Sequence, residues 1–307
     1  MHLALVTCAS KAQYAADTVE DEDVLLERDL RARGHQVSVV VWSDETVAWG
    51  QYDAVVLKSP WDYFDRVAEF YQWLNRLEAE GIPLLNPVAT VRWNADKRYL
   101  LEMQEAGVPI VPTRWLARGT QFQPAALFAG LQTEQLIVKP AVSGGAKNTF
   151  SLTPAQAAEQ AAQITALLAD GDFLAQPFLP EIQTGGEWSL VYLGGSFSHC
   201  VLKLPKSGDF RVQHYLGGSI APTPPPAAVQ QAADAIMQRF AAGCLYARVD
   251  GVVVNGEFLL MELELIEPFL YLDSAPGSWA RYEQALVELA AKSHSPQIPH
   301  PHSGTAR

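Results

Sequence analysis

Short apolar runs alternate with helical patterns over the first 86 residues, and this alternation restricts the fold more than any other feature of the chain. Apolar runs occupy residues 3–6, 37–41, 53–57 and 84–85, a pattern typical of buried parallel strands. Helical patterns lie between them at 21–33, where Gly34 is expected as the C-terminal cap, and at 66–80. The alternation predicts an open α/β layer and a first domain covering residues 1–86.

Composition narrows the class of protein. The 307 residues are enough for one large domain or two to three modest ones, and 49% apolar with 18% charged residues indicates a folded chain. The net charge of -12 argues against a nucleic-acid partner. The three cysteines form neither a disulfide framework nor a zinc motif, so we expect core thiols in a cytoplasmic protein. We expect neither a signal peptide nor a membrane span, which needs ~20 apolar residues.

The rest of the chain predicts two lobes and a tail. Asn94 is expected to cap a helix that runs to about residue 106, and a strand at 136–140 ends at a proline. A helix at 154–169 leads to an extended, proline-stiffened connector at 174–180, which we interpret as a hinge. Further strands are predicted at 188–193, 198–203, 247–254 and 258–265, with a helix at 226–242. We assign residues 87–175 and 176–293 to the two lobes and residues 294–307 to a disordered tail.

A small glycine loop follows the strand at 136–140, in the sequence KPAVSGGAKNT that begins at Lys139. Glycines let backbone N–H groups approach a polyphosphate, and the lysine supplies a positive charge. The loop matches neither the Walker motif nor the dinucleotide fingerprint. A phosphate-binding loop and an ordinary β-turn with an exposed lysine are both compatible with it.

An acidic strand, Met261-Glu262-Leu263-Glu264, carries the second candidate feature. Residues two apart in a strand face the same side, so the two carboxylates project together and need a positive partner. Asp250 would join them if its strand pairs with this one through a turn at Asn255-Gly256. Carboxylate oxygens suit magnesium. The alternative is a solvated strand face.

A third segment, Lys203 to Arg211, brings three cations close together in an acidic chain. The planar fork of Arg211 suits a phosphate or a carboxylate. A surface loop paired with acidic neighbours is the alternative. His199 and His214 lie in no catalytic motif, and we interpret both as structural.

In this order, the features resemble the ATP-grasp superfamily, most closely its glutathione-synthetase-like and RimK-like branch. The first domain is similar to the bacterial group that includes the D-cycloserine-forming ligase, through Trp61-Asp62-Tyr63, Asn86-Pro87 and the run from Trp93 to Leu100. The resemblance extends to about residue 291. It implies an α/β protein of ATP-grasp fold, with an N-terminal open α/β domain followed by two α+β lobes that clasp ATP.

The resemblance also implies nucleotide-binding residues. Lys97 and Lys139 would contact the α- and β-phosphates. Glu187, with Glu181 as the alternative, would accept the ribose hydroxyls. The γ-phosphate would lie under a mobile loop formed by Ser143, Gly144 and Gly145. The adenine would lie along the hinge, which is formed by Gln176, Pro177, Phe178 and Leu179.

Metal and catalytic residues follow from the same resemblance. Mg²⁺, with Mn²⁺ as an allowed substitute, would be held by Asp250, Glu262 and Glu264. Many relatives have Asn where this chain has Glu264, so the number of ions, one or two, stays open. Arg211 would neutralise an acyl-phosphate, and Lys203 is the second catalytic candidate.

The implied activity is an ATP-dependent ligase that activates a carboxylate as an acyl-phosphate for attack by an amine. Its expected substrate is an amino-acid-like small molecule, and a homodimer is compatible with this reading. Acceptor contacts are expected from residues after a first-domain strand, where Ser59, Trp61, Asp62 and Tyr63 could equally be packing residues. Two alternatives stay open. One is a non-catalytic nucleotide-binding module, and the other is a ligand-binding or redox protein built on the first domain.

Overall fold

The computed structural model describes residues 1–11, 21–145, 147–205 and 218–293, and the statements below refer to those residues. They form thirteen strands and ten α-helices. The strands are β1 (His2–Thr7), β2 (Gln36–Val41), β3 (Ala54–Ser59), β4 (Leu84–Leu85), β5 (Arg114–Leu116), β6 (Leu136–Pro140), β7 (Phe150–Leu152), β8 (Phe173–Pro177), β9 (Glu187–Leu193), β10 (Ser196–Leu204), β11 (Ser219–Pro222), β12 (Tyr246–Val254) and β13 (Glu257–Glu264). The helices are α1 (Glu22–Ala32), α2 (Val67–Ala79), α3 (Val88–Asn94), α4 (Tyr99–Glu105), α5 (Pro124–Leu131), α6 (Pro154–Glu159), α7 (Ala161–Leu168), α8 (Glu181–Thr184), α9 (Ala227–Phe240) and α10 (Ser278–Ser293).

The first sheet is parallel, with strand order β2-β1-β3-β4. Side chains alternate along β1, so that Leu3 and Leu5 face one side and Ala4 and Val6 the other. The first face packs against α1 and α10, and the second is covered by a Trp-rich cluster that includes α2. The chain leaves β1 toward β2 and returns on the other side at β3, which makes the β1/β3 edge the switch point of the sheet.

A five-stranded sheet with order β11-β10-β9-β12-β13 forms the C-terminal lobe, and the pairs along it are antiparallel. Helix α9 covers one face through Ala233, Ile236 and Met237. Helix α10 packs through Tyr282 and Leu286 into the cluster that also contains the first domain's Leu3 and Leu5. The sequence pattern did not reveal α10, which joins the C-terminal lobe to the first domain.

The third sheet has order β5-β8-β6-β7 and is covered by α5, α6 and α7. Here the expected connector at 174–180 was partly wrong, because β8 pairs on both sides, with β5 and β6. Pro177 is the last residue of the strand, so its missing N–H removes at most one ladder hydrogen bond at the strand end. The expected helix at 154–169 is two helices that meet at Gln160.

The predicted cap at Asn94 was also wrong. Asn94 is the last residue of α3. Its side-chain Nδ2 donates to Leu263 O at 2.7 Å, and its Oδ1 accepts from Leu265 N at 3.0 Å. It therefore ties the start of the second region to the end of β13. The expected tail at 294–307 lies outside the described residues. Among those described, no helix combines the length and apolarity that crossing a membrane requires.

Candidate active site

The hairpin of β12 and β13 builds the floor of the site. Its turn residues Asn255 and Gly256 have φ of 51° and 85°, the left-handed conformation that a tight hairpin turn requires. The register sets Asp250 opposite Glu262 and Arg248 opposite Glu264. The predicted pairing of the two acidic strands is thus confirmed, and three carboxylates lie on neighbouring positions of one sheet.

Arg248 lies at the centre of this acidic group. Its Nε is 3.0 Å from both oxygens of Asp250, its Nη2 is 2.9 Å from Asp250 Oδ2, and Nη2 also donates to Glu264. The remaining nitrogen, Nη1, donates to the backbone oxygen of Phe269 at 2.9 Å. Asp250 also accepts from the Ser189 hydroxyl at 2.5 Å. The guanidinium is therefore oriented by three partners before any substrate binds.

The electrostatics of the acidic group are uneven. Burial opposes ionisation of Asp250, but the charges of Arg248 and Lys203 outweigh it and hold the pKa of this carboxyl well below its usual range. For Glu264, burial outweighs the attraction of Arg248 and, with the charges of Asp250 and Glu262, raises its pKa to about 8. Glu264 shares the Arg248 guanidinium with Asp250, and its raised pKa marks an environment that would favour an added positive charge.

Glu262 is paired across the cleft. Lys139, at the end of β6 in the other lobe, donates to Glu262 Oε1 at 2.6 Å. Burial disfavours the carboxylate, but the charges of Lys139 and Lys97 more than offset this and lower the pKa of Glu262 to about 2. The two lysines and this glutamate were predicted from distant parts of the sequence, and the fold brings them together.

The glycine loop closes against the first domain. Lys97 Nζ donates to Ser143 O at 2.9 Å, which ties the loop to the lysine. A Cβ at Gly144 would lie 2.7 Å from the ring of Phe64, so a larger residue would push the loop away from this contact. Lys147 pairs with Asp65 at 2.5 Å on the same first-domain turn. Gly145 has φ of 57°.

Lys203 is buried within the C-terminal sheet. It pairs with Glu187 on the neighbouring strand β9, and its Nζ is 3.7 Å from Asp250 Oδ2. Burial disfavours its charge, yet Asp250 and Glu187 together raise the pKa of Lys203. Burial in turn raises the pKa of Glu187 despite the nearby lysine.

The segment from Gln176 to Glu181 connects the end of β8 to the start of α8. Gln176 donates from its side chain to Thr113 at 3.0 Å, and Phe178 N donates to Gln135 O at 2.9 Å. Pro177 ends β8, and Leu179 packs on the outer end of the β12–β13 hairpin. Glu181 Oε2 is buried and has no hydrogen-bond partner among the described residues.

A second polar cluster lies at the carboxyl ends of β1 and β3. Thr7 and Ser59 share a hydrogen bond of 2.8 Å, and Ser59 also donates to Asp23 at the start of α1. Lys11 pairs with Asp23 at 2.5 Å and with Asp21 at 2.6 Å. This cluster combines a cation, two carboxylates and two hydroxyl groups at the switch point of a parallel sheet, where ligands of such folds bind.

Other first-domain candidates face inward. Asp62 accepts from the indole of Trp42 at 2.6 Å and from Ser10 at 3.3 Å. Tyr63 is buried and hydrogen bonds to Glu267. The ring of Trp61 lies 5.7 Å from Lys11 Nζ, on the polar cluster.

Sequence reasoning missed Arg248, Lys11 and Asp23. Arg248 stands two residues before Asp250, and this spacing, which puts both on one face of a strand, was the available signal. Nothing local marked Lys11 or Asp23, because the sheet topology brings them together. Arg211 and His214 lie outside the described residues. His199 is structural as expected, with Nε2 donating to Leu270 O at 2.7 Å.

Within the described ranges, no three His, Cys, Asp or Glu side chains are grouped so as to hold a metal ion. Asp250, Glu262 and Glu264 instead pair with Arg248 and Lys139. The chemistry of the donors nevertheless fits magnesium, since Glu262 and Glu264 offer carboxylate oxygens from one strand face and phosphate oxygens complete such sites.

Known proteins are similar to this chain in both sequence and fold. Residues 3–86 match the family described as the N-terminal domain of D-cycloserine synthetase DcsG, and residues 123–268 match the ATP-grasp domain of prokaryotic glutathione synthetase. The cycloserine biosynthesis protein DcsG of Streptomyces lavendulae is 30% identical over 282 residues, covering 84% of this chain and 90% of that protein. The chain belongs to the ATP-grasp ligase family. It is therefore an ATP-binding enzyme that ligates small molecules, and the non-catalytic alternative has no support.

Solved structures extend the match. The crystal structure of D-cycloserine synthetase DcsG has a TM-score of 0.80 at 28% identity and covers 94% of this chain and 100% of that one. The D-alanine–D-alanine ligase from Bacillus anthracis complexed with ATP has a TM-score of 0.69 at 13% identity and covers 95% and 98%. The predicted ATP-grasp fold is confirmed.

Proposed function

We propose that this ATP-grasp ligase transfers the γ-phosphoryl group of ATP to the carboxylate of an amino-acid-like acceptor, releasing ADP. An amine then attacks the acyl-phosphate carbon, the C–O bond to phosphate breaks, and an amide and inorganic phosphate result. The amine loses one proton in this second step, and that proton leaves with the inorganic phosphate. Positioning and charge neutralisation supply most of the catalysis in such a transfer.

The contact between Lys139 and Glu262 is the observation that carries this proposal. It joins the two lobes at 2.6 Å, beside Lys97 and next to the Arg248 cluster. A triphosphate entering the cleft would compete with Glu262 for both lysines. Freed of Lys139, Glu262 would face the phosphates as an unpaired carboxylate, which is the arrangement that a metal-bound nucleotide requires.

We assign magnesium to Glu262 and Glu264, with Asp250 as the third candidate ligand. Bound there, the ion would neutralise charge on the transferred phosphoryl group. Asp250 already accepts from Arg248 and Ser189, so its first role is to orient the guanidinium. Whether one or two magnesium ions bind depends on whether Glu264 gives up its hydrogen bond with Arg248 and becomes free to bind a metal ion.

Arg248 is the catalytic cation that the geometry supports best. Its planar fork is fixed by Asp250 and by the Phe269 carbonyl, and it lies between the metal carboxylates and Lys203. A guanidinium held in this way can neutralise two oxygens at once. Arg211 keeps the role that the family resemblance implies, the neutralisation of the acyl-phosphate. Lys203 supports the site electrostatically from within the sheet.

The ribose is assigned to Glu181 in preference to Glu187. Glu187 is committed to Lys203, whereas Glu181 Oε2 is a buried acceptor without a partner among the described residues. A buried acceptor is costly unless a hydrogen bond satisfies it, and a ribose hydroxyl would do so. The adenine would lie along Gln176–Leu179, on the same side of the cleft as the glycine loop.

The acceptor is assigned to the polar cluster of the first domain. Lys11 suits a carboxylate, and Asp21 and Asp23 suit an ammonium group, so the cluster matches both charges of an amino acid. The relatives named for D-cycloserine and D-alanine make D-amino acids the first acceptors to test. A cytoplasmic site of action fits an ATP-using enzyme whose Cys8, Cys200 and Cys244 are free and buried.

The test is a screen for acceptor-dependent ADP release with Mg-ATP and single or paired amino acids of both hands, run with and without hydroxylamine. We expect one acid to raise ADP release, and hydroxylamine to trap its acyl-phosphate as a hydroxamate. Acid-dependent ADP release without any hydroxamate would contradict the acyl-phosphate route. ADP release that no acid or amine alters would contradict the proposed ligase activity of this site.

A further inference from the structure

The segment that follows β13, Pro268–Leu272, is held by a buried ion pair of the first domain. Glu22 Oε1 accepts from Leu270 N at 2.9 Å, and its Oε2 accepts from Leu272 N at 3.2 Å. Lys58 pairs with Glu22 at 2.6 Å and donates to Pro268 O at 3.3 Å. Both side chains are only 4% exposed. Both members of this buried pair therefore contact the same short segment.

The C-terminal lobe holds the same segment from its other side. Arg248 Nη1 donates to Phe269 O at 2.9 Å, and His199 donates to Leu270 O at 2.7 Å. The ring of Tyr271 lies 5.8 Å from the Arg248 guanidinium. Tyr271 has φ of 52°, a left-handed conformation that is unfavourable for a non-glycine residue. The surrounding contacts hold the segment in this conformation.

Glu22 and Arg248 bind opposite sides of a single peptide group. The carbonyl of Phe269 and the N–H of Leu270 belong to the same planar unit, and in a trans peptide they point in opposite directions. A carboxylate on the N–H and a guanidinium on the carbonyl polarise the peptide in the same sense, so each hydrogen bond strengthens the other. Because the unit is rigid, a shift of its N–H side also moves the carbonyl that Arg248 contacts.

We propose that Glu22 is a positioning residue for Arg248, acting through the Phe269–Leu270 peptide. The inference rests on the proposed function, since it needs Arg248 to act on the transferred phosphoryl group. The contact on Nη1 matters because the other partners of the guanidinium, Asp250 and Glu264, are candidate metal ligands. If these carboxylates bound a metal ion instead, the Phe269 carbonyl would still hold Nη1 of the guanidinium, and Glu22 would hold the peptide of that carbonyl.

The experiment is a double-mutant cycle between Glu22→Gln and Arg248→Lys, assayed with Mg-ATP and the acid that gives the most ADP release. With Arg248 present, Glu22→Gln should lower kcat roughly ten- to a hundredfold, as expected for a displaced catalytic group, and change the Kd of Mg-ATP by less than about twofold. In the Arg248→Lys background the same change should have almost no effect on kcat. Equal losses in both backgrounds would overturn the proposal.

His35→Gln is the matched control. His35 is another buried side chain of the first domain, and it contacts the C-terminal lobe through Glu283 at 3.1 Å without touching the segment. Its kcat should match that of the unaltered enzyme, and an equal loss would mean that domain packing in general, not this peptide, sets turnover. If unpaired Lys58 prevents folding of Glu22→Gln, the double variant Glu22→Gln/Lys58→Met takes its place, with the same expected non-additivity.

A readout without an acceptor separates this inference from the proposed function. In ¹⁵N spectra of arginine side chains, the Arg248 Nε–H signal is identified by its loss in Arg248→Lys. Glu22→Gln should shift or broaden that signal, and His35→Gln should leave it in place. An unchanged signal would overturn the proposal even if every acceptor failed, whereas a shifted signal without acceptor-dependent turnover would count against the proposed function alone.

Discussion

Two lysine–glutamate pairs flank the acidic hairpin, and they are built differently. Lys139–Glu262 crosses the cleft between lobes, with side chains 12% and 29% exposed. Lys203–Glu187 joins neighbouring strands of one sheet, with side chains 6% and 10% exposed. The first pair can separate when the lobes move or when a polyanion enters. The second lies between paired strands of one sheet, so a relative movement of the lobes does not separate it.

This difference indicates two functions for similar ion pairs. A cross-cleft pair satisfies both charges until the nucleotide and its metal replace each partner, so its residues should govern ligand binding. A pair within the sheet, close to Arg248 and Asp250, fixes charges in advance of the reaction, so its residues should govern stability and turnover.

The largest effect is expected at Arg248, the fixed cation. Arg248→Lys keeps a positive charge but loses the planar fork that bridges Asp250, Glu264 and the Phe269 carbonyl. Turnover should fall by roughly two to three decades, the loss found when one preorganised donor is removed. The Kd of Mg-ATP, measured by calorimetry, should change little because Lys97 and Lys139 still bind the phosphates. Weakened binding with unchanged turnover at saturating ATP would place Arg248 with the binding residues and break the comparison.

The two lysines should separate stability from affinity. Lys203→Met leaves Glu187 and Asp250 buried without their cation, and breaking a buried pair in this way costs about 3–5 kcal/mol in the free energy of unfolding. Lys139→Met should destabilise the protein by less than Lys203→Met, because Glu262 is 29% exposed and Lys97 still acts on it, and should weaken ATP binding roughly ten- to a hundredfold, the loss of one charge-assisted hydrogen bond.

Urea unfolding and calorimetric ATP binding on both variants provide the measurement, and each lysine serves as the control for the other. If Lys139→Met destabilised the protein as much as Lys203→Met, the cross-cleft pair would be a structural pair and the division would be wrong.

The sequence predicted most of the sheets and the residues of the cleft because those signals are local. Each signal predicts its local structure from a few neighbouring residues. Examples are a β-branched run, a glycine loop after a strand and two glutamates two positions apart. The strands of the first domain and the β12–β13 hairpin accordingly lie where they were expected. The assignment of individual residues to ATP, metal and acceptor stays a prediction.

What the sequence could not predict depends on contacts between distant residues. Asn94 is a residue type that often caps helices. Its side-chain amide nevertheless binds the backbone of Leu263 and Leu265 at the end of β13, 169 and 171 residues further along the chain. Glu22 looks like an ordinary acidic residue in the first turn of a helix, but it accepts from backbone N–H groups 248 and 250 residues further on. Local pattern cannot distinguish these uses of a side chain, because the deciding partner is supplied by the fold.

The smallest expected effect concerns Glu267, which shares the cleft with Lys97 and Tyr63. Burial, only partly offset by the charge of Lys97, raises the pKa of Glu267 to about 7. Other groups that act on it are Glu262, which raises its pKa, and Arg248, which lowers it, and a Cβ built at Gly144 would lie 3.6 Å from its Oε1. The folded state therefore holds this proton more tightly than the unfolded chain. The stability that it contributes is complete below the ordinary glutamate pKa of ~4.3 and is lost as pH rises through about 7.

Glu267→Gln cannot titrate, so its melting temperature relative to the unaltered protein should rise between pH 5 and pH 8, by roughly 2–4 °C. Thermal unfolding without nucleotide measures this difference. Glu257→Gln, at the exposed start of β13, corrects for the removal of one negative charge from an acidic protein. A difference that stays flat or falls with pH, after this correction, would mean that Glu267 is already ionised and paired. It would then belong with the fixed charges of the sheet, beside Glu187, and not with the groups of the cleft that await a ligand.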